Sequence, residues 1–356
     1  MVIGVCGFTS TGSSAVVDYL KEYDKFCVLD NKEFILPYYP DGLEDLDIHL
    51  NRYCSKYTGS VVAIERFRRH MQNYWINRTG SMERRRLINQ ATAEFLAKIV
   101  QVSWLGYGSS DLQLGGGIYS GKSKTVFAYQ IAKSIVIPCL EKISKRDHDS
   151  FLRHRMEFSM MPENFDQEAI VFIKKILAAY GADFTKPLVL NQPFAGNDPE
   201  KSFKYFEDPI AIVVDRDPRD NYLFAKKFLR RQGRQIPTDS VEKFVLYYKH
   251  MRENQPYKRN NNRVLTLHFE DMVYRYDETI QIINEFCGLK GEEKARTLFV
   301  PNMSINNTQV FKRYPEFKDD IRYIEENLTE YLYPFEEFGD IEITGQMFSG
   351  RSPLNR

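Results

Sequence analysis

Residues 2–29 read VIGVCGFTSTGSSAVVDYLKEYDKFCVL, and this stretch decides the fold class. Val2–Cys6 is a short apolar run of the kind that forms a buried strand. The small residues of 7–14 follow it, and Ala15–Glu22 then carries apolar residues at helical spacing. Phe26–Leu29 predicts a second strand. A strand, loop, helix and strand in this order indicate a parallel sheet with helices packed on its faces.

The rest of the chain continues the alternation of strands and helices. Further strands are predicted at Leu188–Leu190, Ile210–Val214 and Val264–Leu267. Helices are predicted at about 60–100, 127–145, 165–180, 277–286 and 318–332, and residues 103–124, rich in Gly and Ser, predict a loop. We therefore expect an α/β protein with a central parallel sheet of about five strands. We also expect a single domain over 1–356, with a helical and loop insertion at about 60–125.

Composition and charge exclude several classes of protein. Lys plus Arg number 49 and Asp plus Glu 48, so the formal net charge is +1, which disfavours a nucleic-acid partner. The five cysteines show no CxxC spacing and the histidines no grouping, so we expect no metal site. No run of 18 apolar residues predicts a membrane span, and without a leader sequence we expect a cytoplasmic protein. The sequence does not indicate the oligomeric state.

Two loops carry residues that suit phosphate. Residues 7–14 join a strand to a helix, where backbone N–H groups and the helix dipole form an anion site. Arg216 follows the clearest buried strand in the chain, at the edge where open α/β sheets bind ligands. Its guanidinium can donate two parallel hydrogen bonds to phosphate oxygens. The structural alternatives are a tight turn capped by serine and a solvated turn with local Arg–Asp pairs.

Taken together, these two loops resemble the sulfotransferases that use 3′-phosphoadenosine 5′-phosphosulfate (PAPS) as donor. The first family loop reads roughly P-K-S-G-T/S-T/S, and residues 9–14 stand in its place. The second motif reads R-x-P-x-D, which Arg216–Asp220 matches residue for residue. Phe269–Met272 and Phe286–Leu289 follow in the family's order. The likeness is greatest to members of the heparan type, which modify polysaccharides.

The resemblance implies a P-loop NTPase-like, three-layer, sulfotransferase-like fold. It also implies transfer of a sulfuryl group from PAPS to a hydroxyl of a carbohydrate acceptor, without a metal. Arg216 would hold the 3′-phosphate, with Lys312 or Arg313 closing over it. The 5′-phosphate side of the donor would be held by the first loop, through Thr9, Ser10, Thr11, Gly12, Ser13 and Ser14.

The sequence departs from the family pattern at two positions. The loop lysine of the family, which steadies the phosphosulfate bridge, falls on Ser10. The serine eight residues after the motif arginine, which helps to hold the 3′-phosphate, falls on Phe224. Either these roles have moved to other residues, with Lys122, Lys226, Lys227, Lys312 and Arg313 as the candidates, or the donor differs.

Glu33 is the predicted general base. Residues 32–39 read KEFILPYY, similar to the K-E-P-x-F-F of heparan-type members, whose glutamate removes the proton of the acceptor. Many other members use a histidine in a K-T-H-x-P stretch. Here the comparable stretch, Leu190–Pro193, contains no base, which favours Glu33. The alternative is a surface glutamate in a loop.

Residues 116–123 read GGIYSGKS and match GxxxxGKS, which leaves two other functions open. One is an ATP-dependent kinase that uses this segment, with Asp215 as the carboxylate for magnesium. The preceding residues 108–115 make a poor strand, however, so a flexible lid that carries Lys122 is the preferred interpretation. The other function is non-catalytic binding of a nucleotide or glycan, because the loop lysine is missing.

The segment 61–90 is rich in arginine. It holds seven arginines against two glutamates. Such a run either binds an acidic glycan or forms a solvated helix face.

Overall fold

The computed structural model describes residues 1–30, 32–52, 57–106, 131, 135–144, 154–228, 235–253, 261–289, 297–339, 341, 343, 345 and 347. The chain divides into two compact units. The first unit comprises Met1–Ile35 and Gly181–Arg356, and the second comprises Leu36–Tyr180. The expectation of one domain with an insertion at about 60–125 stays a prediction.

The first unit is built on a five-stranded parallel sheet. Its strands lie in the order β2-β5-β1-β6-β7. The strands described along the chain are β1 Val2–Gly7, β2 Cys27–Leu29, β3 Val102–Gly106, β4 His154–Phe158, β5 Leu188–Asn191, β6 Pro209–Asp215 and β7 Val264–His268. The predicted α/β fold with a central parallel sheet is confirmed, because each predicted strand occurs within a residue or two of its expected bounds.

The helices follow the predicted pattern with some shifts at their ends. The described α-helices are α1 Ser14–Lys21, α2 Leu43–Asn51, α3 Tyr57–His70, α4 Met82–Ile99, α5 Ile137–Ser144, α6 Phe165–Ala179, α7 Pro218–Leu223, α8 Val241–His250, α9 Asp271–Tyr274, α10 Tyr276–Phe286, α11 Pro301–Ser304 and α12 Lys318–Asn327. Met71–Ile76 and Phe224–Phe228 are π-helical. Short 3₁₀ helices occupy Pro199–Tyr205, Ile305–Asn307, Val310–Arg313, Pro315–Phe317, Thr329–Tyr331 and Phe335–Phe338.

Side-chain alternation on the strands builds the core of the first unit. Ile3 and Val5 of β1 face the same side as Ile212 and Val214 of β6, and all four are buried against Val16 of α1. On the other side, a Cβ at Gly4 would lie 2.2 Å from the ring of Phe194, so the ring packs directly on the backbone of β1. Both faces of the central strand are therefore covered, as expected for a parallel sheet.

The order of the strands creates a crevice between β1 and β6. The chain leaves β1 through α1 toward β2 on one side of the sheet, and it leaves β6 toward β7 on the other. Gly7 pairs with Val214, so the loops that follow the two strands begin at the same level. Ligands of open α/β sheets bind where connections diverge in this way, at the carboxyl ends of the strands. This edge carries both predicted phosphate loops.

The second unit packs helices around aromatic side chains and adds a two-stranded antiparallel sheet. Phe67, Phe95 and Phe172 come from α3, α4 and α6, and all are buried. Val102 of β3 pairs with Phe158 of β4. The prediction of a loop at 103–106 is therefore wrong, because this strand is mostly exposed and its pairing partner lies far along the chain. Among the described helices of the chain, none is long and apolar enough to cross a membrane.

Candidate functional site at the ends of strands β1 and β6

The loop between β1 and α1 leaves several backbone donors unused. Ser10 has φ +65° and Gly12 has φ +87°, so the chain twice enters the left-handed region within three residues. In the described part of the chain, the N–H groups of Gly12, Ser13 and Ser14 donate to no protein acceptor. These are the unsatisfied donors that a helix N-terminus offers to an anion. The loop thus offers three donors in one place, and its role as a phosphate site stays a prediction.

Three hydroxyl groups of the loop differ in their surroundings: two are hydrogen-bonded within the protein, and the third belongs to an exposed residue. The Thr11 hydroxyl accepts from the Phe8 N–H at 3.1 Å and donates to the Phe8 carbonyl at 2.9 Å, so it shapes the loop. The Ser13 hydroxyl accepts from the side-chain amide of Gln192 at 2.9 Å. Ser14, the first residue of α1, is exposed. Gly12 is required here, because a Cβ would lie 2.6 Å from the ring of Phe269.

Arg216 lies beneath this loop and holds it in place. Its side chain is 4% exposed, and its Nη1 donates to the Ser10 carbonyl at 3.2 Å. Its Nη2 donates to the carbonyl of Asn307, while Nε is buried without a hydrogen-bond partner. The guanidinium stacks 3.9 Å from the centroid of Phe224. The structure therefore brings Arg216 to the first loop, with one donor left unused.

The rest of the Arg216–Asp220 motif ties down the start of α7. Asp217 accepts from the Arg219 N–H at 2.9 Å and so caps the helix. Its carboxylate also receives the Arg219 guanidinium at 3.0 and 2.7 Å, and the Tyr333 N–H at 2.9 Å. The Arg219 guanidinium also donates a hydrogen bond to the Glu325 carboxylate at 3.0 Å. The motif thus joins the end of β6 to the segment 325–333.

Asp215 is fully engaged by an arginine that the sequence analysis did not single out. Arg252 donates to its two carboxylate oxygens at 2.7 and 2.6 Å, and stacks on the rings of Phe8 and Tyr248 at 3.9 and 3.4 Å. Burial alone raises the pKa of Asp215, but the charge and hydrogen bonds of Arg252 outweigh it and lower that pKa. Both oxygens that the kinase alternative assigned to magnesium therefore already have a partner.

Two buried carboxyl groups lie close to Arg216. Asp220 accepts from the Phe311 N–H at 3.2 Å through one oxygen, and Glu270 accepts from the Asp217 N–H at 3.2 Å. The second oxygen of each is buried without a hydrogen-bond partner. Burial raises the pKa of Asp220 to about 7, against the opposing charge of Arg216, and burial also raises the pKa of Glu270. This part of the site therefore takes up a proton easily.

Lys312 and Arg313 lie on a 3₁₀ turn that the Phe311–Asp220 hydrogen bond fastens to the motif. Arg313 donates through Nη1 to the Gly345 carbonyl at 3.1 Å, but its Nε and Nη2 are buried without partners. Lys312 is exposed, and within the described ranges no carboxylate pairs with it. Two other candidate lysines are occupied: Lys226 pairs with Asp320 at 2.7 Å and Lys227 with Glu316 at 2.8 Å. Lys122 lies outside the described residues.

Glu33 stands next to the strand end that borders the first loop. The Phe34 N–H donates to the Asn191 carbonyl at 2.7 Å, and the neighbouring Gln192 bonds Ser13. The Glu33 side chain is exposed, yet the protein around the carboxyl desolvates it enough to raise its pKa. A raised pKa makes this carboxylate a stronger base than glutamate in water.

Besides Arg252, two further residues of the site were missed by the sequence analysis. The Asn221 side-chain amide donates to the Thr9 carbonyl at 2.9 Å, and Gln192 supplies the bond to Ser13 from a backbone with φ +56°. Asn221 directly follows the Arg216–Asp220 motif, and Gln192 lies in the Leu190–Pro193 stretch, just past the end of β5. For Gln192, a polar amide just past the end of a strand was the available signal.

Comparison with known proteins gives a partial match over this region. Residues 210–326 match the model of the sulfotransferase domain family. This segment runs from β6 to the end of α12 and includes the Arg216–Asp220 motif, Lys312 and Arg313. The first loop and Glu33 lie outside it.

A solved structure, titled the sulfotransferase domain from the curacin biosynthetic pathway, is similar over 93% of this chain and 98% of its own length. The identity is 12% and the TM-score 0.36. No curated protein sequence matches the chain.

The remaining site predictions concern a metal site and the GxxxxGKS segment. In the described ranges, no three His, Cys, Asp or Glu side chains come together in a way that could hold a metal ion. The GxxxxGKS match at 116–123 lies outside the described residues, so the lid and the kinase loop both stay predictions.

Proposed function

We propose that this protein transfers a sulfuryl group from PAPS to a hydroxyl of a carbohydrate acceptor. The observation that carries the proposal is a set of unused hydrogen-bond donors at the carboxyl edge of the sheet. They are the N–H groups of Gly12, Ser13 and Ser14, the Nε of Arg216, and the Nε and Nη2 of Arg313. The arginine nitrogens are buried, where a donor without a partner is costly, and the whole set suits a ligand that carries several phosphate oxygens.

The two ends of the donor fit different parts of this set. The first loop, at the N-terminus of α1, suits the 5′-phosphosulfate. Arg216 and Arg313 suit the 3′-phosphate, because each guanidinium offers N–H groups that no described residue accepts. The match of residues 210–326 to the sulfotransferase domain supports sulfuryl transfer as the chemistry.

Catalysis then requires positioning, charge stabilisation and one proton transfer. The acceptor hydroxyl oxygen attacks sulfur, the bond from sulfur to the 5′-phosphate oxygen breaks, and Glu33 takes the hydroxyl proton. The charge that develops on the leaving phosphate is stabilised by the loop N–H groups and by the dipole of α1. Lys312 is the proposed replacement for the lysine that Ser10 displaces, since it is exposed on the turn fastened to Asp220.

A calorimetric titration tests the donor half of this proposal without an acceptor. Adenosine 3′,5′-bisphosphate, the product of transfer, is expected to bind the full chain, and ATP with magnesium is expected not to bind. Binding of magnesium-ATP instead would establish the kinase alternative. Bisphosphate binding without transfer to any of a panel of glycans would favour the non-catalytic alternative.

A further inference from the structure

The structure sorts the seven arginines of residues 61–90 into two groups. Four of them form ion pairs, so their charge is compensated. These are Arg66 with Asp41, Arg68 with Glu157, Arg69 with Glu65, and Arg86 with Glu83. This group matches the solvated helix face, the less specific of the two interpretations of the run.

The other three arginines gather at one turn without an acidic partner. Arg78 belongs to the turn itself. Arg85 donates to the Thr79 carbonyl at 3.0 Å and the Asn77 carbonyl at 3.4 Å, so its guanidinium lies against both residues that flank Arg78. Arg84 approaches the Thr79 hydroxyl at 3.5 Å. In the described part of the chain no carboxylate pairs with any of the three, which leaves a local surplus of positive charge.

A cluster of three aromatic rings adjoins this turn. The centroids of Tyr39 and His70 are 5.6 Å apart, those of Tyr39 and Tyr74 5.5 Å, and those of His70 and Tyr74 5.5 Å. His70 and Tyr74 are nearly parallel, at 9°. The guanidinium of Arg78 lies 4.7 Å above the ring of Tyr74. Tyr39 is 40% exposed, so the aromatic cluster is open to solvent at this ring.

A π-helical turn holds the aromatic cluster in place. It spans Met71–Ile76, and its extra residue brings buried Trp75 to His70, where the indole Nε1–H donates to the imidazole Nε2 at 3.1 Å. The imidazole plane is thereby fixed parallel to Tyr74. Turns of this kind are uncommon and are found often at functional sites.

We propose that the rings of Tyr39, His70 and Tyr74, together with Arg78, Arg84 and Arg85, form a binding surface for an anionic oligosaccharide. The C–H face of a pyranose packs against aromatic rings, and carboxylate or sulfate groups match guanidinium in a bidentate manner. A net charge of +1 argues against a nucleic acid as the occupant. That this sugar is the acceptor rests on the proposed function, whereas its binding does not.

Titration of the full chain without any nucleotide tests the surface. The probes are a heparin-derived hexasaccharide and neutral maltohexaose. The heparin fragment is expected to bind and maltohexaose to bind at least about tenfold more weakly, since charge-assisted hydrogen bonds are lost. The double variant Arg78→Ser/Arg85→Ser is expected to bind the heparin fragment at least about tenfold more weakly than the parent does. Tyr74→Ala is also expected to bind it more weakly.

The matched control is Arg69→Ser/Arg86→Ser, which removes the same charge from ion-paired positions of the same segment. It is expected to change affinity less than about twofold. Equal weakening by the two double variants would overturn the proposal, because bulk charge would then explain binding. Absence of heparin-fragment binding, or tighter binding of single-stranded DNA of equal charge, would also overturn it. Failure of the proposed function shows separately, as loss of adenosine 3′,5′-bisphosphate binding.

Discussion

Arg216 donates a 3.2 Å hydrogen bond to the backbone carbonyl of Ser10, 206 residues away in the sequence. This bond joins the two loops that the sequence marks for phosphate. The ring of Phe224, which stands where the sulfotransferase pattern has a serine, supports the guanidinium at 3.9 Å. In the proposed function Arg216 therefore has two tasks, to hold the Ser10 loop and to offer its unused Nε to the donor.

Replacement of Arg216 by alanine should discriminate between two nucleotides. We expect Arg216→Ala to weaken the binding of adenosine 3′,5′-bisphosphate about 10- to 100-fold more than the binding of adenosine 5′-phosphate. The reason is that a charge-assisted hydrogen bond contributes about 1.5–3 kcal/mol. Calorimetric titration of both ligands measures the ratio. The ratio is informative even if the variant is less stable, because a general loss of folded protein affects both ligands alike. Equal weakening would contradict the assignment of the 3′-phosphate to Arg216.

Gly12 should be more sensitive to substitution than a glycine with the same backbone conformation elsewhere. Gly12→Ala combines φ +87° with a contact of 2.6 Å to the Phe269 ring. Gly181→Ala is the matched control, with φ +92° and no atom within 4 Å of the added Cβ. Strain in this region costs about 1–3 kcal/mol, so both variants should lose stability in urea unfolding. Only Gly12→Ala should also lose affinity for the bisphosphate.

The interpretation of Gly12 as an anion-loop residue would be wrong if both alanine variants kept the bisphosphate affinity of the parent. The comparison separates the cost of a positive φ from the displacement of the loop by Phe269.

The elements that the sequence predicted are those with a strong local pattern. The buried runs Ile210–Val214 and Val2–Cys6 are apolar throughout, as strands covered on both faces must be. Strand β3 lacked such a signal, because its side chains are mostly exposed and it is held by pairing with β4. The predicted helix at 318–332 ends at Asn327 and gives way to a 3₁₀ turn at Thr329–Tyr331.

The candidate site could be predicted in its residues but not in its contacts. The chain order does not reveal that Arg216 lies under Ser10, or that Arg252 occupies both oxygens of Asp215. The contact between Arg216 and Ser10 depends on the strand order, which places β1 between β5 and β6. The partners of Ser13 and Thr9, Gln192 and Asn221, follow from the same arrangement.

Glu33→Gln should reduce transfer without reducing donor affinity. Glutamine keeps the size and polarity of the side chain but cannot accept the proton, and general-base catalysis contributes about 10²–10⁴ in rate. Single-turnover transfer to a glycan acceptor measures the loss, and bisphosphate titration is the control. In the parent, the rate should fall at acid pH as Glu33 is protonated, at a higher pH than for free glutamate because its pKa is raised. Near-normal transfer by the variant would exclude Glu33 as the base.

Asp220 should make the stability of the protein depend on pH near neutrality. Burial raises its pKa from 3.8 to about 7 in the folded protein, with Arg216, Asp217 and Arg219 as its charged neighbours. The folded state then binds the proton more tightly than the unfolded chain. The stabilisation is fully present below the ordinary pKa of 3.8 and is lost as the pH rises through about 7.

The variant Asp220→Asn keeps an oxygen for the Phe311 N–H but cannot ionise. Urea unfolding at pH 5, 6, 7 and 8 measures the free energy of unfolding of both proteins. Between pH 5 and pH 8 the parent should lose at least about 1.4 kcal/mol of this free energy relative to the variant, the equivalent of one pKa unit. Asp215→Asn is the control, because Arg252 lowers the pKa of Asp215 against the effect of burial. Its contribution to stability is present above the ordinary pKa and is lost only as the pH falls below it. The difference between parent and Asp215→Asn should therefore stay constant from pH 5 to 8. A constant difference for Asp220→Asn as well would mean that Asp220 is already ionised in the folded protein, with its charge balanced by Arg216.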